Sequence, residues 1–175
     1  SKNQMSGDSV ECGVWKGGSM MLAAKTLMEL NDNNYELYLF DTFEGTTKPT
    51  EVDKDHLGNS MLEAWEKEFK DKEKLPKSAD YVSLEEVKKN IYSTGYPKKK
   101  IHFVKGKVED TIPKSAPEKI SILRLDTDWY ESTRHELENL FPKLSSGGIL
   151  IIDDYGHFEG SRKAVDEYFE KNKIK

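Results

Sequence analysis

Two apolar runs within residues 120–155, each closed by carboxylates, constrain the fold of this chain more than any other feature. Ile120, Ile122, Leu123 and Leu125 lead straight into Asp126, Thr127 and Asp128, and the wholly apolar 149–152 leads into Asp153 and Asp154. Between them Glu131, Ser132 and Thr133 open a helix whose Leu137, Leu140, Phe141 and Leu144 fall at helical spacing, and Ser145, Ser146, Gly147 and Gly148 close it. Strand, helix and strand in this order make a βαβ unit with parallel strands, whose carboxyl ends share one edge of the sheet. In open α/β sheets that edge is where ligands sit. Asp126, Asp153 and Asp154 therefore converge, and carboxylates brought together repel unless a cation joins them. The spacing predicts a divalent-metal site of oxygen donors, a set that suits Mg²⁺, with Mn²⁺ or Ca²⁺ as substitutes.

The rest of the chain repeats the βα rhythm. Strand patterns at 9–14, 35–40 and 101–104 precede the two already described, and amphipathic helices lie between them. Five parallel strands with crossover helices form a doubly wound α/β sheet. At 175 residues the chain reads as one domain, 1–175. Lys and Arg are interspersed with Asp and Glu at a net charge of −5, which argues against nucleic acid as a partner. Cys12 is the only cysteine, so no internal disulfide forms, and a reducing cytoplasm is the expected location. No apolar run reaches the roughly 18 residues of a membrane helix, so no membrane partner is expected. The polar N-terminus shows no signal peptide. The chain opens almost directly on a core strand, so an N-terminal region is expected to be missing.

Gly13, Val14, Trp15, Lys16, Gly17, Gly18 and Ser19 link the first strand to a helix bearing Met20, Met21, Leu22, Ala23, Ala24, Leu27 and Met28. A glycine turn feeding a helix N-terminus offers free N–H groups to a cofactor. The spacing is neither G-x-G-x-x-G nor a phosphate-gripping Gly-Lys-Ser/Thr, and an ordinary tight βα turn explains it equally well. Asp41 closes the second strand, either accepting from ribose hydroxyls or capping the local backbone. Residues 45–80 interrupt the rhythm as a lid-like insertion, with Asn59 or Ser60 capping a short helix striped by Met61, Leu62, Trp65 and Phe69. Ser83 to Glu86 is a capping box and Gly95 the stop of its helix. His56 reads as a solvated loop residue and His102 as a face-alternating strand residue.

The strings ECGVWKGGS (11–19), DTFEG (41–45), LDTDWYEST (125–133) and DDYG (153–156), in that order, resemble the macrocin O-methyltransferase family of metal-dependent sugar O-methyltransferases. The similarity spans about residues 8–170. It implies a class I, Rossmann-like methyltransferase fold, S-adenosylmethionine and magnesium, and transfer of methyl to a hydroxyl of a sugar on a small molecule or glycan. Residue by residue, it assigns Glu11, Gly13, Gly17, Gly18 and Ser19 to the amino-acid part and backbone of the cofactor and Asp41 to its ribose. The loop 107–111 lies near the adenine, with Asp110 as its cofactor residue. Asp126, also beside the cofactor, joins Asp153 and Asp154 on the metal. The interval from Asp126 to Asp153 is similar to that in the metal triad of catechol-type O-methyltransferases, which favours Asp126 over Asp128 as ligand. Asp126 or Asp128 would take the proton of the acceptor hydroxyl. Asp128 has the plainer alternative of capping the next helix, and His157 is a candidate acceptor contact.

The chain departs from the family at both ends. The N-terminal segment that covers the acceptor in the family and the final strand pair that completes the sheet are expected to lie outside residues 1–175. Missing residues or a partner chain are expected to cover the apolar fifth strand, which makes a homo-oligomer the expected state. A nicotinamide-dependent oxidoreductase on a similar sheet is disfavoured by the missing G-x-G-x-x-G. A catalytically impaired cofactor-binding module of the same fold is the other alternative.

Overall fold

The computed structural model describes residues 6–69 and 81–174. Five strands, β1 (Asp8–Cys12), β2 (Leu37–Asp41), β3 (Ile101–Lys105), β4 (Ile120–Leu125) and β5 (Leu144–Ile152), form one sheet in the order β3-β2-β1-β4-β5. Every pairing is parallel. The helices are α1 (Gly18–Glu29), α2 (Met61–Phe69), α3 (Leu84–Tyr92), α4 (Val108–Thr111), α5 (Tyr130–Leu140) and α6 (Glu159–Lys171). The strand order reverses between β1 and β4, and this switch point is where a crevice opens at the carboxyl edge.

Alternation along the strands divides the core between two faces. Val10, Cys12, Phe40, Leu123 and Leu125 pack with Leu137 and Leu140 of α5 and Val165 of α6. On the opposite face Leu37 and Leu39 meet Met20 and Ala24 of α1 and Val87 and Ile91 of α3. Ser83 caps α3 through Glu86 N–H at 3.3 Å, as the capping box requires. Of the two candidate caps for α2, Ser60 is the one used, accepting from Glu63 N–H at 3.2 Å. Residues 70–80 of the insertion lie outside the described residues. His102 lies on a sheet face, stacked on Tyr38 at 4.4 Å and paired with Glu36.

Three local expectations differ from the structure. Residues 145–148 do not end a helix: α5 stops at Leu140, a 3-10 turn over Phe141–Lys143 follows, and β5 starts at Leu144. Pro142 has no N–H to continue the α-helical ladder. The pairing then skips from Ile120 with Leu144 to Ile122 with Ile149, so residues 145–148 bulge from the ladder. Residues 108–111, read as loop, form the short α4. Among the described residues no strand pairs with the outer edge of β5, where Ile149 and Ile151 are 49% and 42% exposed. No helix among them is long and apolar enough to cross a membrane.

Candidate active site

The acidic cluster is assembled by strand ends. Asp126 N–H donates to Cys12 O at 2.9 Å and Asp153 N–H to Leu125 O at 3.0 Å, so β1, β4 and β5 finish side by side. Oxygens of Asp126, Asp128 and Asp154 lie within 4.8 Å of one another. The expected trio was Asp126, Asp153 and Asp154, and the structure brings together only two of these. Asp153 Oδ1 lies 3.0 Å from Arg124 Nη2, its side chain half exposed, while Asp154 begins the 3-10 turn Asp154–Gly156 and is buried. Asp128 completes the cluster because its backbone is left-handed, φ +68°, with its N–H bonded to Asp154 Oδ2 at 3.1 Å. Asp tolerates this region better than most residues, at a cost on the order of 1 kcal/mol.

Burial sets the protonation of this edge. It raises Asp126 to about 6 against the opposing pull of Arg124, with Asp154 and Asp153 adding to the rise. Asp154 is raised as well, again chiefly by burial. Glu11, 1% exposed, is pushed up to about 7 by burial, offset by Arg124 and by the neighbouring Ser19. Arg124 is the common counter-ion: its Nη1 lies 2.9 Å from Glu11 and 2.7 Å from Asp126, and its Nη2 reaches Asp153. Glu11 and Arg124 are register partners on β1 and β4, which places both side chains on one face.

Next to the cluster is a cavity of about 320 Å³, lined among others by Gly13, Trp15, Asp41, Lys107, Asp126 and Asp128. Of the residues expected to hold the cofactor, Gly13, Asp41 and Asp126 reach it. Glu11, Gly17, Gly18, Ser19 and Asp110 are not on its lining, and in α4 it is Val108 and Glu109 that are. Asp110 is exposed on α4. Close packing requires a glycine at Gly13 and Gly17, whereas a Cβ on Gly18 would meet nothing within 4 Å. A Cβ on Gly13 would stand 1.8 Å from Asp126 O, and Gly17, at φ +85°, turns the chain into α1 against Ile91. Asp41 is already occupied by backbone: Oδ2 accepts from Val14 N–H at 2.7 Å and Trp15 N–H at 3.2 Å, and Oδ1 from Phe43 N–H at 2.6 Å. It clamps the turn and at the same time faces the cavity.

Over its whole length, residues 1–175, the sequence matches the family model of the macrocin O-methyltransferases. The chain belongs to that family. It is 37% identical over 169 residues to the 8-demethyl-8-(2,3-dimethoxy-alpha-L-rhamnosyl)-tetracenomycin-C 4'-O-methyltransferase of Streptomyces olivaceus, covering 93% of this chain and 58% of that protein. To the mycinamicin III 3''-O-methyltransferase of Micromonospora griseorubida it is 32% identical, covering 96% of this chain and 62% of that one. The solved O-methyltransferase NovP superposes with a TM-score of 0.83 at 32% identity, covering 98% of this chain and 66% of NovP. The calicheamicin methyltransferase CalS11 shares the fold, with a TM-score of 0.67 at 19% identity. The chain spans about three fifths of the length of the curated relatives it matches.

For this member of the macrocin O-methyltransferase family, the donor set fits a hard divalent cation, because the clustered ligand atoms are all carboxylate oxygens. Three polar residues near the site, half-buried Arg124 and buried Glu136 and Asp53, are not singled out by the sequence pattern. Arg124 carried a signal, because a cation inside an apolar strand requires counter-charges. Glu136 is fully buried on α5, where burial drives its carboxyl well upward, and its Oε1 accepts from Thr127 Oγ1 at 2.9 Å. Asp53, with no exposed surface, sits in the insertion and carried no signal, because apart from its neighbour Thr50 it is bonded by the N–H of Tyr130, far along the chain.

Proposed function

We propose that this protein is an O-methyltransferase that moves methyl from S-adenosylmethionine to a hydroxyl of a sugar on a natural product or glycan, with Mg²⁺ at the acidic cluster. The observation that carries the reading is the placement of Asp126, Asp128 and Asp154 together at the switch point, against the cavity behind Gly13 and Asp41, in a chain of this family. The relatives act, by their names, on a rhamnosyl tetracenomycin and on mycinamicin III.

Gly13, Trp15 and Asp41 would hold the methyl donor along the cavity floor, with Lys107 to Glu109 at its far wall. Asp126, Asp128 and Asp154 would hold the cation. When bound, the cation supplies Lewis-acid polarisation of an acceptor hydroxyl, and the donor supplies an electrophilic methyl group. The protein's own part is positioning and proton transfer. Asp126 and Asp128 both present carboxylates to the cavity, and either could take the proton of the acceptor hydroxyl. Arg124 offsets the mutual repulsion of Glu11, Asp126 and Asp153 by pairing with all three.

Calorimetry with S-adenosylmethionine tests the reading. Binding that Mg²⁺ accompanies supports it, and binding of NAD in place of S-adenosylmethionine would sink it. The apolar edge of β5 that no described strand pairs with would be covered by further residues of the protein or by a partner chain.

A further inference from the structure

We propose that His56 and His157 form a second acceptor subsite, which takes a flat aromatic group carried by the sugar. The inference rests on the reading of the carboxyl edge as the place where a sugar hydroxyl receives methyl. The two imidazoles come from stretches far apart in sequence, and their ring centroids lie 5.1 Å apart at an interplanar angle of 38°. His157 in turn meets Phe158 edge to face at 4.5 Å, and Phe158 packs on Trp129 at 5.1 Å. The four rings make one row. At its inner end Trp129 is buried, follows Asp128 in the chain, and donates from Nε1 to Thr47 O at 2.9 Å. Asp128 and Thr47 both line the cavity. At its outer end His56 and His157 are exposed. The row therefore leads from the rim of the cavity to the surface. His157 stands three residues beyond Asp154, and a chain of that length spans at most about 10 Å. A group joined to a sugar at the cavity is within that reach.

The backbone under both rings is fixed. His157 N–H and Phe158 N–H each donate to Asp154 O at 2.9 Å. His56 lies in a turn closed by Asp55, whose Oδ1 accepts from Leu57 N–H and Asn59 N–H, each at 2.9 Å. Asn59 Nδ2 donates to the other oxygen of Asp55 at 2.8 Å. Two ties join the stretches: Asp55 pairs with Phe158 in an antiparallel bridge, and Glu159 N–H donates to Lys54 O at 2.8 Å.

The chemistry of the pair narrows what it takes. Two exposed rings gain little from their own burial, whereas an aromatic surface set on fixed backbone lowers the ordering cost of binding a flat ligand. Aromatic rings favour another ring in offset or edge-to-face contact, and an imidazole N–H also donates to oxygens on the rim of such a ring. A second sugar or an aliphatic chain presents no π face.

The test uses two probes that differ only beyond the sugar, methyl α-L-rhamnopyranoside and p-nitrophenyl α-L-rhamnopyranoside, a rhamnosyl group being named in the acceptor of one relative. Each is titrated into the protein with S-adenosylhomocysteine and Mg²⁺, and binding is followed by calorimetry and by NMR of the histidine ring protons. His102 and His135, the other two histidines, serve as internal controls. The nitrophenyl glycoside is expected to bind about tenfold more tightly than the methyl glycoside, a factor within the range of one aromatic contact. It should move the ring signals of His56 and His157 and leave those of His102 and His135 in place. His56→Ala and His157→Ala should each reduce the advantage, and the double variant should abolish it. His56→Phe keeps a flat ring and should retain it. Equal affinities of wild type for the two probes, unmoved His56 and His157 signals, or an advantage that survives the double variant would overturn the proposal. S-adenosylhomocysteine, titrated first and alone, separates this outcome from failure of the underlying reading. If it binds and the nitrophenyl probe leaves the pair unmoved, only the subsite falls. If it does not bind, the methyl-transfer reading falls, and the histidine signals still decide whether the pair takes a flat ring.

Discussion

Replacing Glu11 by Gln should remove one identifiable part of the pH dependence of stability. Glu11 is 1% exposed, and burial lifts its carboxyl from 4.5 to about 7 in spite of Arg124. The folded chain therefore binds this proton more tightly than the unfolded chain does. Stability from that proton is complete below 4.5 and is lost as pH rises through about 7. At about 1.4 kcal/mol per pKa unit, the shift amounts to about 3 kcal/mol, of which about 2.5 kcal/mol falls between pH 5 and pH 8. Glu11→Gln cannot ionise, so its stability should lack this loss. The assay is urea denaturation of both proteins, without divalent cation, at pH 5 and pH 8. Comparing the two differences removes the titration of Asp126 and Asp154 except for the part that Glu11 imposes on its neighbour Asp126 through their shared Arg124. The wild type should lose about 2.5 kcal/mol more than the variant over this interval. A loss equal in the two proteins would show that Glu11 is already charged at pH 5 through Arg124, and the burial argument would be refuted.

Further expectations concern the remaining residues of the site. Asp126→Asn and Asp154→Asn should each weaken Mn²⁺ binding about tenfold or more in calorimetry. Asp153→Asn, whose partner is Arg124, should weaken it far less, and an equal loss would return Asp153 to the ligand set. Gly13→Ala places a Cβ 1.8 Å from Asp126 O at φ +79°, so a cost of about 3 kcal/mol or more, or failure to fold, is expected in urea denaturation. Asp41→Ala strands the N–H groups of Val14 and Phe43 and should cost about 1–3 kcal/mol while weakening S-adenosylhomocysteine binding. Loss of binding with unchanged stability would assign Asp41 to the ligand alone and refute its clamping role.

Much of the architecture was legible because it is written in periodicity. The apolar runs at 120–125 and 149–152 read as parallel strands of one sheet, and the acids behind them had to emerge at one edge. The Asp126 to Asp154 edge, the glycine turn at 13–19 and Asp41 follow from local pattern and strand polarity alone. The Ser83 cap follows from its own four residues.

What local pattern could not decide was which side chain turns inward once a strand has ended. Beyond Leu125 and Ile152 the period of two is gone, and the backbone turns are fixed by distant groups. Asp128 is brought into the cluster by a bond to Asp154, and Asp153 is drawn out of it by Arg124. Asp41 looks the same in sequence whether it grips a ribose or a turn, and only its three backbone donors distinguish the second role. Asp53 is the extreme case: its value depends on Tyr130 and Gly160, 77 residues and more away, meeting it in space. The sequence by itself determined the sheet, its polarity and the acidic edge, because these are periodic and local. The tertiary structure alone decided the membership of the acidic cluster, because buried carboxylates take their places from the donors and cations that surround them.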